Sequence, residues 1–229
     1  MSAPEPDVLL ARVAKVHDRI AAAGGDPEQV ALLAVTKGFG PEVALAAAAA
    51  GLVDLGENYA QELVAKAPVL ADAGADVRWH AIGRLQRNKV KALAPIVALW
   101  QTVDRADLGR EIAKRAPGAA VLVQVNVSDE PQKGGCAPGD APDLVAALRD
   151  DGLEVRGLMT VGRTGPADEA RAGFRMLRSL ADDLDLPVRS MGMSGDLEAA
   201  VAEGSTMVRV GSALFGPRPS VPGPAARQG

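Results

Sequence analysis

The chain holds one cysteine, Cys136, and two histidines, His17 and His80. A lone thiol excludes an intrachain disulfide, and so few soft ligands, with no ligand spacing, argue against a metal site. Aromatic residues make up only 3%, so Ala, Val and Leu must build the core. No uncharged apolar stretch is long enough to span a bilayer. The opening residues, Met1 to Asp7, lack the basic and apolar regions of a signal peptide. Neither sign of charge dominates: the net charge is −4 with both signs interspersed. That leaves no electrostatic footprint for nucleic acid or an anionic membrane. The expectation is a soluble, cytoplasmic protein without nucleic-acid or membrane partners.

What is present is an unbroken alternation of short apolar runs and amphipathic stretches. Asp7 to Ala23 has helical spacing and stops at Gly24-Gly25. The first strand reads as Ala31 to Lys37, followed by an Ala-rich helix from Pro41 to Ala50. Strands follow at Val53–Asn58, Arg78–Gly83, Ala98–Val103, Ala120–Val127, Leu153–Thr160, Val188–Gly192 and Met207–Gly211, with helices between them. The helix from Tyr59 is expected to end before Pro68. Eight strands alternating with helices predict a single (β/α)8 TIM-type barrel with an extra N-terminal helix. A doubly wound open sheet is the alternative, but no Gly-x-Gly-x-x-Gly follows the first strand. The barrel is expected over residues 1–216, and the Pro-rich stretch 217–229 is expected to be a disordered tail.

In such a barrel the chemistry sits where strands end. Lys37 ends the first, and alternation puts it on the face of Leu33 and Val35. Burial there lowers an ammonium pKa and makes a nucleophile suited to an imine with an aldehyde. The alternative is a lysine that emerges into solvent. The loops after the last two strands, Gly192 to Asp196 and Gly211 to Gly216, are glycine-rich. They occupy the usual phosphate position of this fold, and Ser194 and Ser212 add hydroxyl donors. The alternative is glycines that only make turns and a serine that only caps a helix. Arg209 alternates against Val208 and Val210, which turns it toward the barrel interior if the valines face the helices. A buried guanidinium needs an acceptor, either a carboxylate or a ring nitrogen of a bound heterocycle.

These residues carry a resemblance. Segments Ala34–Lys37, Gly56–Glu62, Trp79–Lys89, Val123–Val127, Arg156–Thr160, Ser190–Ser194 and Met207–Gly216 are similar to the pyridoxal phosphate homeostasis proteins of the YggS/PROSC type. The resemblance implies a barrel like the N-terminal domain of alanine racemase, binding pyridoxal 5'-phosphate. It places the internal aldimine on Lys37 and Asn58 near the ring substituents. It gives the phosphate to Ser194, Gly211 and Ser212, and the pyridine nitrogen to Arg209. Catalytic and metal residues are not implied. Ser212 stands where many members have Thr, and Arg84 and Arg87 where others often have His and Ser. His80 is either a cofactor neighbour or a packed histidine, Cys136 reads as an inert thiol, and Glu57 as a structural partner of a nearby base.

Three functions compete: a cofactor homeostasis protein that buffers or delivers pyridoxal phosphate, a pyridoxal-phosphate enzyme such as a racemase, and a cofactor-free Schiff-base aldolase. The resemblance favours the first, without turnover, with apo-forms of pyridoxal-phosphate enzymes as recipients. Length points the same way. A racemase of this fold uses a second domain and a partner subunit, whereas here the barrel takes up the chain, so a monomer is expected.

Overall fold

The computed structural model describes residues 3–128 and 130–217. Eight parallel strands, β1 (Ala31–Val35), β2 (Asp54–Glu57), β3 (Arg78–Ala81), β4 (Val97–Val103), β5 (Ala120–Gln124), β6 (Glu154–Met159), β7 (Val188–Met193) and β8 (Met207–Val210), pair in sequence order. β8 returns to β1 through Leu33↔Arg209, and the barrel is closed. This is the TIM-type barrel expected from the alternation.

Strand side chains point alternately to the helices and to the barrel axis. Leu33, Leu99, Leu122, Met159 and Met207 fill the axis, and Ala34, Leu55, Val121, Leu158, Val208 and Val210 pack outward. The outer ring comprises α2 (Pro41–Ala49), α3 (Ala60–Asp72), α4 (Arg87–Leu93), α5 (Ala106–Arg115), α6 (Ala141–Asp150), α7 (Ala167–Asp183) and α8 (Leu197–Ala202). The extra N-terminal helix, α1 (Pro6–Ala22), buries Leu9, Val16 and Ile20 against α8 and the short α9 (Ser212–Phe215).

Most strand boundaries shift by a residue or two from the sequence expectation, and three differences have a visible cause. β1 ends at Val35, because Thr36 to Gly38 turn back, with the Phe39 N–H donating to the Thr36 carbonyl at 3.2 Å. α3 does not stop at Pro68 but runs on to Asp72. Leu63 and Leu70, both fully buried, anchor the helix on either side of the proline. The carbonyl that loses its helical partner belongs to Val64, which is 39% exposed. β5 stops at Gln124, where the chain meets Cys136 instead, with Cys136 N–H donating to the Gln124 carbonyl at 2.9 Å. Pro217 is the last described residue, so the rest of the expected tail, 218–229, lies outside the described residues. No described helix is long and apolar enough to cross a membrane.

Candidate functional site

The C-terminal ends of the strands surround a cavity of about 440 Å³. It is lined by Lys37, Asn58, Ser194, Arg209, Gly211 and Ser212 together, all the residues singled out for a cofactor. Lys37 reaches it from the turn after β1 and is half-buried, not held on the strand itself. The fully buried lysine at this end of the barrel is a different one, Lys66. Val35, Phe39, Ile82, Met159 and Val161 supply an apolar wall.

The loops are braced from outside. A Cβ at Gly83 would lie 2.0 Å from the Asn58 carbonyl oxygen, so only glycine lets the loop after β3 press on Asn58. Gly192 has φ +91°, and a Cβ there would meet Ala200 Cβ at 2.5 Å. That close approach seats the loop after β7 on α8. Ser194 Oγ then accepts a hydrogen bond from the Ala213 N–H at 3.3 Å, which links the loops after β7 and β8. α1 holds both from behind: Arg19 donates to the Ser194 carbonyl at 2.9 Å and Arg12 to the Leu214 carbonyl at 2.8 Å.

Arg209 is buried inside the barrel, as its alternation against the valines requires. Neither acceptor considered from sequence satisfies it here. Its guanidinium donates to the Thr160 carbonyl at 2.6 Å, the Ser190 carbonyl at 2.7 Å and Ser190 Oγ at 2.9 Å. No described carboxylate forms an ion pair with it. Burial pushes its pKa down to about 10, with the charge of Asp196 acting the other way, so it stays cationic near neutrality.

A polar chain runs from Arg209 down the barrel. Ser190 Oγ donates to Gln101 Oε1 at 2.7 Å, and Gln101 Nε2 lies 2.8 Å from His80 Nδ1. An amide nitrogen only donates, so Nδ1 accepts and the proton sits on Nε2, 3.2 Å from Asp54 Oδ1. Burial raises the Asp54 pKa, but His80 and Arg78 more than offset this and hold it at about 2. His80 is therefore the packed histidine of the two readings, absent from the cavity lining.

The cluster that sequence reasoning missed lies beneath Lys37. Lys66 Nζ, from α3, is 2.6 Å from Glu57 Oε1, which also accepts from Thr36 Oγ1 at 2.6 Å. Glu57 Oε2 is buried without a partner. Burial pushes the Glu57 carboxyl up to about 7, against the pull of Lys66. A structural partner for Glu57 was legible at the strand end, and the partner's identity was not. The Cys136 thiol is pushed up to about 11, chiefly by burial, which makes it unreactive near neutrality. Arg87 pairs with Asp107 at 3.5 Å, whereas Arg84 lines a neighbouring groove. Among the described residues no cluster of three or more His, Cys, Asp or Glu could hold a metal ion.

The site offers an amine, hydroxyl donors on two facing loops, a buried cation and an apolar wall. That donor set fits a flat, phosphorylated aldehyde with a ring acceptor. The volume lies in the ordinary range for small-ligand pockets.

Comparison with known proteins agrees. The model of the alanine racemase N-terminal domain matches residues 10–219. The chain is 43% identical to a pyridoxal phosphate homeostasis protein of Pseudomonas aeruginosa, over 90% of this chain and 92% of that protein. It is 41% identical to the protein of the same name in Aquifex aeolicus, over 92% of this chain and 95% of that one. The structure of PipY of Synechococcus elongatus with pyridoxal phosphate bound superposes with a TM-score of 0.77 at 33% identity, covering 87% of this chain and 99% of PipY.

Proposed function

The chain belongs to the pyridoxal phosphate homeostasis protein family, built on the alanine racemase N-terminal domain, and from that premise we propose that it binds pyridoxal 5'-phosphate and manages its supply without turning over a substrate. The observation that carries this reading is the convergence of Lys37, Asn58, Arg209 and the Ser194 and Ser212 loops on one cavity.

Each residue has a task that follows from its chemistry. Lys37 holds the aldehyde covalently, as an imine. Ser194 and Ser212 donate to the phosphate, and Gly211 lets the backbone approach it. Asn58, held in place by Gly83, meets the ring substituents. Arg209 faces the pyridine nitrogen. When bound, the cofactor supplies an electrophilic aldehyde and a conjugated ring that can act as an electron sink. A guanidinium at the ring nitrogen opposes ring protonation and weakens that sink, which supports holding over catalysis. The recipients on this reading are apo-forms of pyridoxal-phosphate enzymes, and the protein works as a cytoplasmic monomer.

Borohydride reduction of the protein incubated with pyridoxal phosphate, followed by peptide mass mapping, tests it. The adduct is expected on Lys37. An adduct mainly on Lys89, Lys91 or Lys133 would sink the assignment.

A further inference from the structure

A second concavity adjoins the cofactor cavity. It is a groove of about 790 Å³ between the loops after β2, β3 and β4, and Asn58 lines both spaces. Its cations are Arg84, Lys89 and Arg105. Arg105 is neutralised by Asp104 at 2.6 Å and Asp107 at 3.0 Å. Arg84 and Lys89 form no ion pair with any described carboxylate. Gln61 and Gln86 add neutral amide donors.

The loop that carries Arg84 is built, not loose. Gly83 presses on the Asn58 backbone. Thr102 Oγ1 donates to the Gly83 carbonyl at 2.9 Å, and Arg105 Nη2 to the Leu85 carbonyl at 3.1 Å. The backbone on both sides of Arg84 is thus tied to the same edge as Asn58, and the Arg84 side chain is exposed.

We infer that this groove is a carboxylate subsite that takes a free amino acid beside the cofactor. The inference rests on the cofactor reading for its physiological meaning, not for its geometry. The carboxylate belongs at Arg84 and Lys89, where charge is unmet. The groove is roomier than one carboxylate needs, which leaves space for a side chain. Because Asn58 borders both ligands, occupancy of the groove is coupled to the hold on the cofactor, and the coupling is reciprocal. A protein that manages cofactor supply would in this way sense the substrates of the enzymes it serves.

The test uses the full chain without cofactor, observed by the NMR signals of the Arg84 Nε–H and the Gln61 and Gln86 side-chain amides. L-glutamate and L-leucine are titrated in parallel with their α-carboxamides. Saturable shifts are expected with the acids, and affinity about tenfold weaker with the carboxamides. Arg84→Gln with Lys89→Gln should lose about the same factor, with thermal stability unchanged. Added salt should weaken the acids alone. Equal binding of acid and carboxamide, retention in the double variant, or no saturable shift would each overturn the subsite. Borohydride trapping on Lys37 is scored separately in the same variant. A failed trap with intact shifts removes the cofactor reading and leaves the subsite standing.

Discussion

Lys66 Nζ lies 2.6 Å from Glu57 Oε1, and both side chains are almost wholly buried between α3 and β2. The same ammonium donates to the Thr36 carbonyl at 2.8 Å and sits 3.2 Å from Glu62 Oε2. Glu62 Oε2 in turn accepts from the Gly38 N–H at 2.7 Å. Thr36 and Gly38 flank Lys37, so one turn of α3 grips the backbone on both sides of the residue assigned to the cofactor.

Removing one partner strands the other. Lys66→Met leaves the Glu57 carboxyl buried without its cation and is expected to cost about 3–5 kcal/mol in urea unfolding at pH 8, where the wild-type Glu57 is ionised. Glu57→Gln combined with Lys66→Met should recover much of that loss, since no charge is then left unpaired. A loss under about 1 kcal/mol for Lys66→Met would mean that Glu57 is not held as a buried ion.

The same pair sets a pH dependence. Burial raises the Glu57 carboxyl from its ordinary 4.5 to about 7 in the folded chain. The folded state therefore binds this proton more tightly than the unfolded state. Its contribution is most favourable below about pH 4.5, falls as pH rises to about 7, and is flat beyond. The full span is worth roughly 3 kcal/mol. Asp54, held at about 2, acts oppositely and only in acid, below about pH 4. The measurement is therefore the difference in unfolding free energy between wild type and Glu57→Gln across pH 5 to 8, which should narrow or change sign in favour of the variant as pH rises. A pH-independent difference would refute the raised carboxyl.

Local pattern made much of this site legible. Period-two alternation turned Arg209 inward, opposite Val208 and Val210. It also carried from Val35 to Lys37, although the strand itself ends at Val35. Glycine clusters marked the loops of Ser194 and Ser212. Lys66 was hidden because it sits in an Ala- and Val-rich helix, where a lysine reads as solvated. Its burial is dictated by Glu57, on another element. The one local trace was the four-residue spacing from Glu62. The chain from Arg209 through Ser190 and Gln101 to His80 was hidden likewise, because it joins four strands across the barrel axis. Pro68 misled because helix propensity is local, whereas Leu63 and Leu70 anchor α3 through tertiary packing.

The phosphate assignment makes a selective prediction. Ser212→Ala removes a hydroxyl from the cavity rim and breaks no side-chain hydrogen bond among the described residues. It should weaken pyridoxal phosphate by about 1.5–3 kcal/mol, the worth of a hydrogen bond to a charged group, and leave unphosphorylated pyridoxal nearly unaffected. Ser194→Ala should do the same and also loosen the link to the Ala213 N–H. Equal losses for both ligands, measured by absorbance titration, would place the phosphate elsewhere.

The absence of turnover is the remaining prediction, and Arg209 is its physical basis. Its guanidinium is fixed by the Thr160 and Ser190 carbonyls, with a pKa of about 10, and stays charged across the physiological range. In the proposed cofactor pose this permanent cation faces the ring nitrogen and disfavours the protonated ring that carbanion chemistry draws on. The protein loaded with cofactor is therefore expected to show no sustained racemisation, transamination or decarboxylation of common amino acids. Chiral chromatography and keto-acid assays over hours supply the measurement. Turnover on the order of 1 s⁻¹ or faster, abolished by Lys37→Ala, would overturn the carrier reading and make the chain an enzyme.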